Sequence, residues 1–513
     1  MNKMGAPLSG TTRSPGNGRS HAAVANAPLF QDAERAAPSA AELLLGATAS
    51  PGEHGNGPGG SGNIGSFLPD LIRAGQVDTV LVCMCDMQGR LVGKRVTGRH
   101  FLGMLGHDMH ACDYLLAVDV EMLPIPGLEV SSWEKGFGDF SIRPDLRTAR
   151  LVPWIPGTAV VLGDTVDAKG KLAPHAPRSI LRNQIERMEA AGFSALFASE
   201  LEFYVFRGDW KAARQGSYRG LEPDGFYSED YQIFQTSGKE RLMRAIRNGM
   251  EAAGIAIESS KGEGGPGQAE INLLYAETLE MADRHVIYKN GVKELAHAEG
   301  HCVTFMAKWN DRMPGSSCHI HNSLTNLSNG EAAFADPARP FGFSKVFEHY
   351  LAGQVALARD MTLLLAPFVN SYKRFQSGSF APTKAVWSLD NRTAGFRVLG
   401  EGNSLRVECR IPGADVNPYL AYAALIAAGL HGIENELPLG PPNAGNAYTS
   451  AGDAAHIPTT LPEAASALEH STVLRAALGD GVIEHCVHLA RWEQSEADRR
   501  VTDWELGRYF ERV

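Results

Sequence analysis

The 513-residue sequence is poor in cysteine, in aromatic residues and in long apolar runs. Cysteine occurs seven times, a sparse and odd number that argues against a disulfide framework. No uninterrupted apolar stretch reaches the roughly 18 residues that cross a bilayer, so we expect no membrane contact. Lys and Arg total 48 against 58 Asp and Glu, which gives a net charge of −10. Without a basic excess, no general binding of nucleic acid is expected.

Glycine, by contrast, is abundant, with 55 residues, and many of them precede Phe67. Residues 1–66 contain one aromatic side chain, Phe30, and such a segment cannot bury enough apolar surface to offset its ordering entropy. It also lacks the apolar core of about 7–15 residues that a secretory signal requires. We therefore predict a disordered tail over 1–66 and a cytoplasmic protein.

The remaining chain is predicted to form a small domain and a large one. Near its start, Val77–Cys85 and Arg90–Val96 are strand-like and flank a turn at Asp86–Gly89, which predicts a β-hairpin. Two further strands are predicted at Tyr114–Val120 and Thr158–Leu162. Beyond the linker at Pro174–Pro177, helices are predicted at Arg178–Ala191, Gly238–Ala253, Thr278–Gly300, Ser344–Leu364 and Pro418–Ile433.

Two short motifs suggest ligand sites that their surroundings do not support. Cys83 and Cys85 are either metal ligands or core side chains, and the lack of a second cysteine pair favours the core. Gly262–Gly267 matches the dinucleotide-binding pattern G-x-G-x-x-G. A strand-like segment follows it where that fold requires a helix, so we reject a dinucleotide site here.

Four predicted strands carry polar side chains at every second position, and alternate residues of a strand point to the same face. The four sets are Glu200 and Glu202; Gln268, Glu270 and Asn272; His319 and His321; and Arg406, Glu408 and Arg410. A half-solvated sheet gives similar alternation. However, two carboxylates at i and i+2 repel each other unless a cation lies between them. Carboxylates with imidazole suit Mg²⁺ or Mn²⁺, and arginines beside them suit phosphate or carboxylate groups.

These strands belong to seven ordered motifs that make the chain resemble the glutamine synthetase superfamily. The motifs are Glu200-Leu-Glu-Phe, Glu263-Gly-Gly-Pro-Gly-Gln-Ala-Glu270, Gly315-Ser-Ser-Cys-His-Ile-His-Asn-Ser323, Asn370-Ser-Tyr-Lys-Arg374, Asn391-Arg-Thr-Ala-Gly-Phe-Arg397, Arg406-Val-Glu-Cys-Arg410 and Asn417-Pro-Tyr-Leu. The resemblance implies an α+β fold, with a small β-grasp-like domain (67–170) before a large catalytic domain (171–513) that contains a curved antiparallel sheet. It also implies a homo-oligomeric ring, a hexamer or dodecamer, with active sites between neighbouring subunits.

The resemblance further assigns ligands residue by residue. One metal is held by Glu202, Glu263 and Glu270, and a second by Glu200, His319 and Glu408. ATP lies beside His321, with Arg392, Arg397 and Arg406 on its phosphates, while Arg374, Arg410 and Gly315 bind glutamate. Arg374, Arg392 and Arg397 are the implied catalytic arginines. The implied cofactors are ATP and two or three Mg²⁺ or Mn²⁺ ions per site.

The implied reaction uses ATP to phosphorylate the γ-carboxylate of L-glutamate, after which an amine displaces phosphate and forms a γ-glutamyl amide. A phosphoryl group in transfer needs divalent cations and arginines to spread its charge, which agrees with the polar faces of the four strands.

Three departures from the family concern the amine and glutamate contacts. The Asp-Gly-Ser-Ser motif that binds ammonium is absent, and the corresponding stretch Cys112–Val118 offers Asp113 as the one replacement. The flap Glu, six residues after Arg374, is replaced by Phe380, and Pro314 stands where the family has a glutamate-binding Asn. Losing two carboxylates and gaining an aromatic ring makes the pocket less attractive for a small cation. We therefore predict an organic amine, arylamine or alkylamine.

Other functions remain open from the sequence. An ordinary glutamine synthetase would use ammonia. A metal-dependent hydrolase or a guanidino kinase could use a similar sheet, and a catalytically inactive structural relative would keep the fold alone. The six metal-ligand candidates and the Glu-x-Glu and His-x-His pairs favour the ligase.

Overall fold

The computed structural model describes residues 63–513. Its strands are β1 Thr79–Cys85, β2 Leu91–Thr97, β3 Met109–Cys112, β4 Asp139–Pro144, β5 Arg150–Leu151, β6 Thr158–Val166, β7 Phe193–Arg207, β8 Ile257–Gly262, β9 Gln268–Leu273, β10 Ala276–Glu277, β11 His301–Thr304, β12 Cys318–Asn326, β13 Trp387–Leu389, β14 Phe396–Leu399 and β15 Arg406–Cys409. Its α-helices are α1 Leu68–Arg73, α2 Gly98–Gly103, α3 Pro177–Ala190, α4 Trp210–Gln215, α5 Ile233–Thr236, α6 Glu240–Ala252, α7 Thr278–Ala298, α8 Lys345–Ala356, α9 Ala358–Leu365, α10 Pro418–Glu434, α11 Ala447–Ser450, α12 Leu461–His470, α13 Thr472–Leu478, α14 Asp480–Asp498 and α15 Asp503–Tyr509.

The predicted tail, 1–66, lies outside the described residues except for its last four. Those four residues are not tail-like, because the Ile64 N–H donates to the Ala149 carbonyl at 3.0 Å and the Asn63 side chain donates to the Arg147 carbonyl at 2.7 Å. The ordered chain thus includes residue 63, four residues earlier than expected.

A mixed six-stranded sheet forms the small N-terminal part, in the order β2-β1-β6-β4-β3 with β5 beside β6. The predicted hairpin is confirmed as the antiparallel pair β1 and β2. Its turn is held by Asp86, whose carboxylate accepts from the N–H groups of Gln88 (3.0 Å) and Arg90 (2.8 Å). Cys85 is packed in the core and Cys83 lies partly buried against it, and no three-ligand cluster within 63–513 includes a cysteine. Core packing is therefore the correct interpretation of this pair.

The strand predicted at Tyr114–Val120 is wrong. Residues Asp113–Leu116 form a 3₁₀ turn, and the edge strand is β3, immediately before it. Asp119 explains the difference, because its carboxylate accepts from the N–H groups of Glu121 and Leu123, both at 2.9 Å, and curls the chain.

A larger sheet contains all four predicted polar strands at its centre, in the order β13-β14-β15-β12-β7-β9-β8, with β10 and β11 also paired to β7. Apart from the parallel pair β13 and β14, its pairs are antiparallel. The turn Gly262–Gly267 joins β8 to β9 rather than a strand to a helix, so the rejection of a dinucleotide site is confirmed. One face of this sheet is apolar, with Leu201, Ile271 and Ile320 fully buried.

Helices cover that apolar face. The most buried is α10, whose alanine-rich turns allow α8 to approach closely: a Cβ on Gly353 of α8 would lie 2.1 Å from the Ala428 carbonyl oxygen. The five predicted helices exist, but Ser344–Leu364 is two helices, α8 and α9, because Leu357 leaves helical geometry (φ −98°, ψ 8°). Within 63–513, no helix combines the length and hydrophobicity needed to cross a membrane.

Candidate active site

Strand register brings the predicted metal ligands together on the polar face of the large sheet. Glu202 of β7 is opposite Glu270 of β9, and Glu200 of β7 is opposite His319 of β12. On the other side of β12, His321 is opposite Glu408 of β15. Because the four strands are adjacent, side chains separated by more than 200 residues in sequence converge on one surface.

The first cluster is a histidine–carboxylate centre around Glu200. Its carboxylate oxygens lie 3.1 Å from His319 Nδ1 and 3.0 Å from His321 Nε2, and Glu408 Oε1 lies 3.5 Å from His319 Nδ1. Burial opposes ionisation of Glu200, yet the hydrogen bonds from both histidines hold its pKa well below the usual range. Burial and the Arg410 charge lower the pKa of His319 to about 4, so its imidazole is neutral at pH 7 and suited to ligation.

The second cluster is the carboxylate triad, Glu202, Glu263 and Glu270, whose nearest oxygens lie within 4.8 Å of one another. Burial and the Glu263 charge raise the pKa of Glu202 to about 8. Burial, followed by the charges of Glu200 and Glu202, raises the pKa of Glu270 to about 9. Three buried carboxylates can all be ionised only beside a cation, so the triad fits a hard divalent metal.

All six predicted ligands lie in the two clusters, and one of the two predicted ligand sets is grouped differently. Glu202, Glu263 and Glu270 could share one ion, as in the predicted set, whereas the other ligand atoms group as Glu200, His321 and Glu408, or as Glu200, Glu270 and His319. His321 could therefore share an ion with Glu200 and Glu408, just as His319 could share one with Glu200 and Glu270. Within 63–513, Nε2 of His319 is buried without a hydrogen-bond partner, which fits a donor atom meant for a ligand outside the chain.

Arginines surround the first cluster. Arg397 Nη1 donates to Glu408 at 3.0 Å, Arg410 pairs with the other oxygen of that carboxylate, and Arg406 Nε donates to His321 Nδ1 at 3.2 Å. Arg392 is not brought into this network: it lies exposed between β13 and β14 and makes no ion pair with any residue of 63–513. Its proposed role stays a prediction.

Arg374 and Gly315 lie behind the triad and contact each other. The Arg374 guanidinium is buried and donates to the carbonyls of Arg410 (3.3 Å) and Ile411, and burial lowers its pKa to about 10. Nε of Arg374 and of Arg410 has no partner within the described chain. A Cβ on Gly315 would lie 2.6 Å from Arg374 Cγ, so glycine is needed for this approach.

Phe380 lies in the loop after Arg374 and is 63% exposed, with a left-handed φ of +59°. That conformation is rare for a residue with a side chain and is found at ligand-binding sites. The next residue is tied to Tyr448, whose hydroxyl donates to the Ala381 carbonyl at 2.9 Å. Asp113 begins the 3₁₀ turn that follows β3, where its carboxylate accepts from the Ser131 hydroxyl.

The sequence did not reveal the contacts of several site neighbours. The Ser317 N–H and the Gln268 amide donate to Glu202, at 2.8 and 3.2 Å, although both residues belong to the motifs. Lys261 pairs with Glu263, and Asp390 accepts from Arg397 at 3.0 Å. Lys261 lies in β8 two residues before Glu263, so a basic residue close to a predicted ligand was an available signal. Asp390 lies in the loop after β13 and Tyr448 in the short helix α11, segments in which no useful periodicity exists.

A cavity of about 580 Å³ opens from the first cluster, where Glu200, His321 and Arg406 form its polar end. The rest of its wall is largely apolar or uncharged and includes Phe197, Ala198, Leu274, Tyr275, Ser323, Asn403 and Ser404. Its volume is in the range of small-molecule and cofactor sites.

The sheet, the two ligand clusters and the arginines define a metal-dependent enzyme that acts on phosphate and carboxylate groups. The family description "Glutamine synthetase, catalytic domain" matches residues 174–509. The chain therefore belongs to the glutamine synthetase family, whose members use ATP and divalent metals.

Two relatives within the family and one solved structure are similar to most of the chain. The chain is similar to gamma-glutamylethanolamide synthetase GlnA4 of Streptomyces coelicolor, with 50% identity over 87% of this chain and 95% of that protein. It is also similar to glutamate–isopropylamine ligase of a Pseudomonas species, with 37% identity over 86% of this chain and 97% of that protein. Among solved structures, "GmaS/ADP complex-Conformation 1" matches with a TM-score of 0.75 and 26% identity, over 86% of this chain and 99% of that chain. The expected α+β fold and superfamily are thus confirmed.

Proposed function

We propose that this protein is a glutamate–amine ligase that couples L-glutamate to a small organic amine, with ATP cleaved to ADP and phosphate. The observation that carries the proposal is the placement of six metal-ligand side chains and three arginines on one sheet face. The names of two relatives, of which one specifies a γ-glutamylethanolamide product and the other an isopropylamine substrate, support the same reaction class.

Two divalent ions, Mg²⁺ or Mn²⁺, suit the two clusters. The carboxylate triad would hold one, and Glu200, His319 and Glu408, with His321 adjacent, the other. Bound there, such ions would neutralise the charge that develops on the transferring phosphoryl group. The oxygen-rich donor set supports these metals over zinc, which favours cysteine and histidine.

ATP is assigned to the 580 Å³ cavity. Its polar end, at Glu200, His321 and Arg406, would receive the phosphates, and the wall with Phe197 and Tyr275 would receive the base. Arg397 is aligned with Glu408 at the same end, so it can stabilise phosphoryl charge, with Arg392 proposed to join it from its exposed loop.

Glutamate is assigned to the neighbourhood of Arg374, Arg410 and Gly315. The unpartnered Nε atoms of the two arginines supply donors for carboxylate groups. An oxygen of the glutamate γ-carboxylate attacks the γ-phosphorus of ATP. The bond from that phosphorus to the oxygen that bridges it to the β-phosphate breaks, and ADP is released. The nitrogen of the neutral amine then attacks the acyl carbon, the acyl carbon–oxygen bond breaks, phosphate leaves, and the nitrogen releases one proton to solvent.

The amine is proposed to be a short alkylamine or arylamine rather than ammonia. By the family resemblance, Phe380 stands where ammonia-using members have a carboxylate, and Asp113, in the 3₁₀ turn after β3, accepts a hydrogen bond from Ser131. The amines in the names of the two relatives, ethanolamine and isopropylamine, favour an alkylamine among these. An inactive structural relative is disfavoured because all six ligand side chains are retained in bonding positions.

Assembly and location are proposed by family resemblance: a homo-oligomeric ring, hexameric or dodecameric, in the cytoplasm. In such a ring the active sites would lie between neighbouring subunits.

The test is phosphate release in reactions from which one component at a time is omitted. The full mixture contains ATP, Mg²⁺, glutamate and one amine from a panel of ethanolamine, isopropylamine, aniline and ammonium. We expect release only with glutamate and an organic amine present. Release without either would indicate a hydrolase, and no release with any amine or with Mn²⁺ would refute the ligase.

A further inference from the structure

A buried ion pair lies beneath the carboxylate triad and takes no direct part in it. Glu229 and Lys239 pair with each other, and each side chain is 1% exposed. Burying two charges costs free energy that their attraction alone often does not recover. Such a pair is stable where the other hydrogen-bonding atoms of both side chains are also satisfied. The partners of those atoms therefore indicate which part of the structure the pair holds in place.

The remaining hydrogen bonds of the pair go to the loop Glu263–Gly267, which joins β8 to β9, and to the first residue of β9. Glu229 Oε1 accepts from the Gly267 N–H at 2.8 Å, and Lys239 Nζ donates to the Gln268 carbonyl at 3.2 Å. The main-chain N–H of Glu229 donates to the Glu263 carbonyl at 3.1 Å. The side chains of the ion pair therefore hold the end of the loop that enters β9, and the main chain of Glu229 holds its start.

Two glycines allow the loop to close over the Glu229 carboxylate. A Cβ on Gly225 would lie 1.9 Å from Glu229 Oε1, and a Cβ on Gly267 would lie 2.8 Å from the Val205 carbonyl oxygen. Gly267 also has a φ of +74°, which favours glycine. Main-chain atoms thus contact the buried carboxylate directly.

The loop leads from one triad residue to another. Glu263 begins the loop, Gln268 opens β9 and donates to Glu202 at 3.2 Å, and Glu270 follows two residues later. We propose that Glu229 and Lys239 are positioning residues for the metal at the carboxylate triad and act through the main chain of this loop. The proposal rests on the metal site of the proposed function, but not on the identity of the amine or on turnover.

The test measures Mn²⁺ binding to the full-length protein without ATP or glutamate, by electron paramagnetic resonance of the free ion. The affinity class lost in Glu202→Ala identifies the triad. Loss of an outer-shell contact typically weakens metal binding 10–100-fold, so we expect Glu229→Gln and Lys239→Met to weaken that class about 10-fold or more. The other class should remain within about twofold.

Two further variants separate positioning from general destabilisation. Arg178→Met removes a buried ion pair elsewhere (Arg178 is 5% exposed) and should leave both Mn²⁺ classes unchanged. The double variant Glu229→Gln/Lys239→Met leaves no unpaired buried charge, and it decides the matter if a single variant fails to fold.

Unchanged triad affinity in the folded variants would overturn the proposal, as would equal weakening of both classes or the absence of Mn²⁺ binding by the unmodified protein. Normal Mn²⁺ binding without amine-dependent phosphate release would instead refute the proposed function and leave this inference intact.

Discussion

Glu202 is a residue at which burial and charge repulsion act together. It is 7% exposed, its pKa is raised to about 8 by burial and by Glu263, and it accepts from Ser317 and Gln268. We expect Glu202→Ala to lower turnover at least ~100-fold, because a ligand contributes no less than an outer-shell residue does. Steady-state phosphate release and size-exclusion chromatography check this, with Glu331→Ala, a surface substitution, as the control. Retained turnover would remove Glu202 from the metal site.

Phe380 is the residue that bears on amine choice. Phe380→Glu would place a carboxylate beside the amine and attract small cations, so we expect the ratio of kcat/KM for ammonium to that for ethanolamine to rise about 10-fold or more. Phe380→Leu is the matched control, since it keeps the site apolar. An amine profile identical in all three proteins would place Phe380 outside the pocket.

Individual site residues could be predicted from the sequence where they lie in regular strands. The period of two in β7, β9, β12 and β15 predicted that Glu200 and Glu202, or His319 and His321, share a face. It could not reveal Asp390, which lies in a loop, or Tyr448, which lies in the short helix α11, because such segments approach the site through tertiary packing that has no sequence period. The assignment of six residues as metal ligands came from family resemblance. The periodicity alone was also consistent with a half-solvated sheet that binds no metal.

At the scale of elements, β7 and β9 together create a site whose protonation is linked to metal binding. In the metal-free protein, Glu202 and Glu270 hold protons below about pH 8 and pH 9. A cation needs them ionised, so Mg²⁺ binding should release protons near pH 7 and tighten as the pH rises towards 9. Calorimetry in two buffers of different ionisation enthalpy measures the release, with Glu202→Gln expected to release fewer protons. A heat of binding that is independent of the buffer would contradict this.

The same groups fix the sign of a stability effect. Their pKa in the unfolded chain is near 4.5, so the folded metal-free protein binds more protons between about pH 5 and 9. Its stability should therefore fall as the pH rises through that window, and Mg²⁺ should restore it.

Element boundaries were predicted less well than element types. The Tyr114–Val120 error arose because β-branched and aromatic residues indicate a strand, whereas Asp119 stabilises a turn through its own side chain. The division between α8 and α9 at Leu357 has no Pro or Gly to mark it in the sequence. Strand pairing order, such as β12 between β7 and β15, is a long-range property that no local pattern contains.

At the scale of the whole molecule, a buried ion network joins the small sheet to the catalytic part. Arg178 of α3 pairs with Asp283 of α7 at 2.9 Å, with Asp145 at 3.1 Å and with Asp164 of β6. Removing one partner of a buried network leaves uncompensated charge, so Arg178→Met should lower the free energy of unfolding by about 3 kcal/mol. Arg147→Met, which also loses a bond to Asp145 but whose side chain is 75% exposed, should cost less than about 1 kcal/mol. Denaturant unfolding measures both, and equal losses would contradict the role of burial.

The whole molecule is expected to join glutamate to an organic amine in preference to ammonia. The most direct measurement gives the enzyme ATP, Mg²⁺ and glutamate with equal concentrations of ammonium, ethanolamine and isopropylamine, and quantifies the products by mass spectrometry. We predict γ-glutamyl amides of the organic amines in at least ~10-fold excess over glutamine, as differences of this size follow from pocket complementarity. Glutamine as the main product would contradict the account.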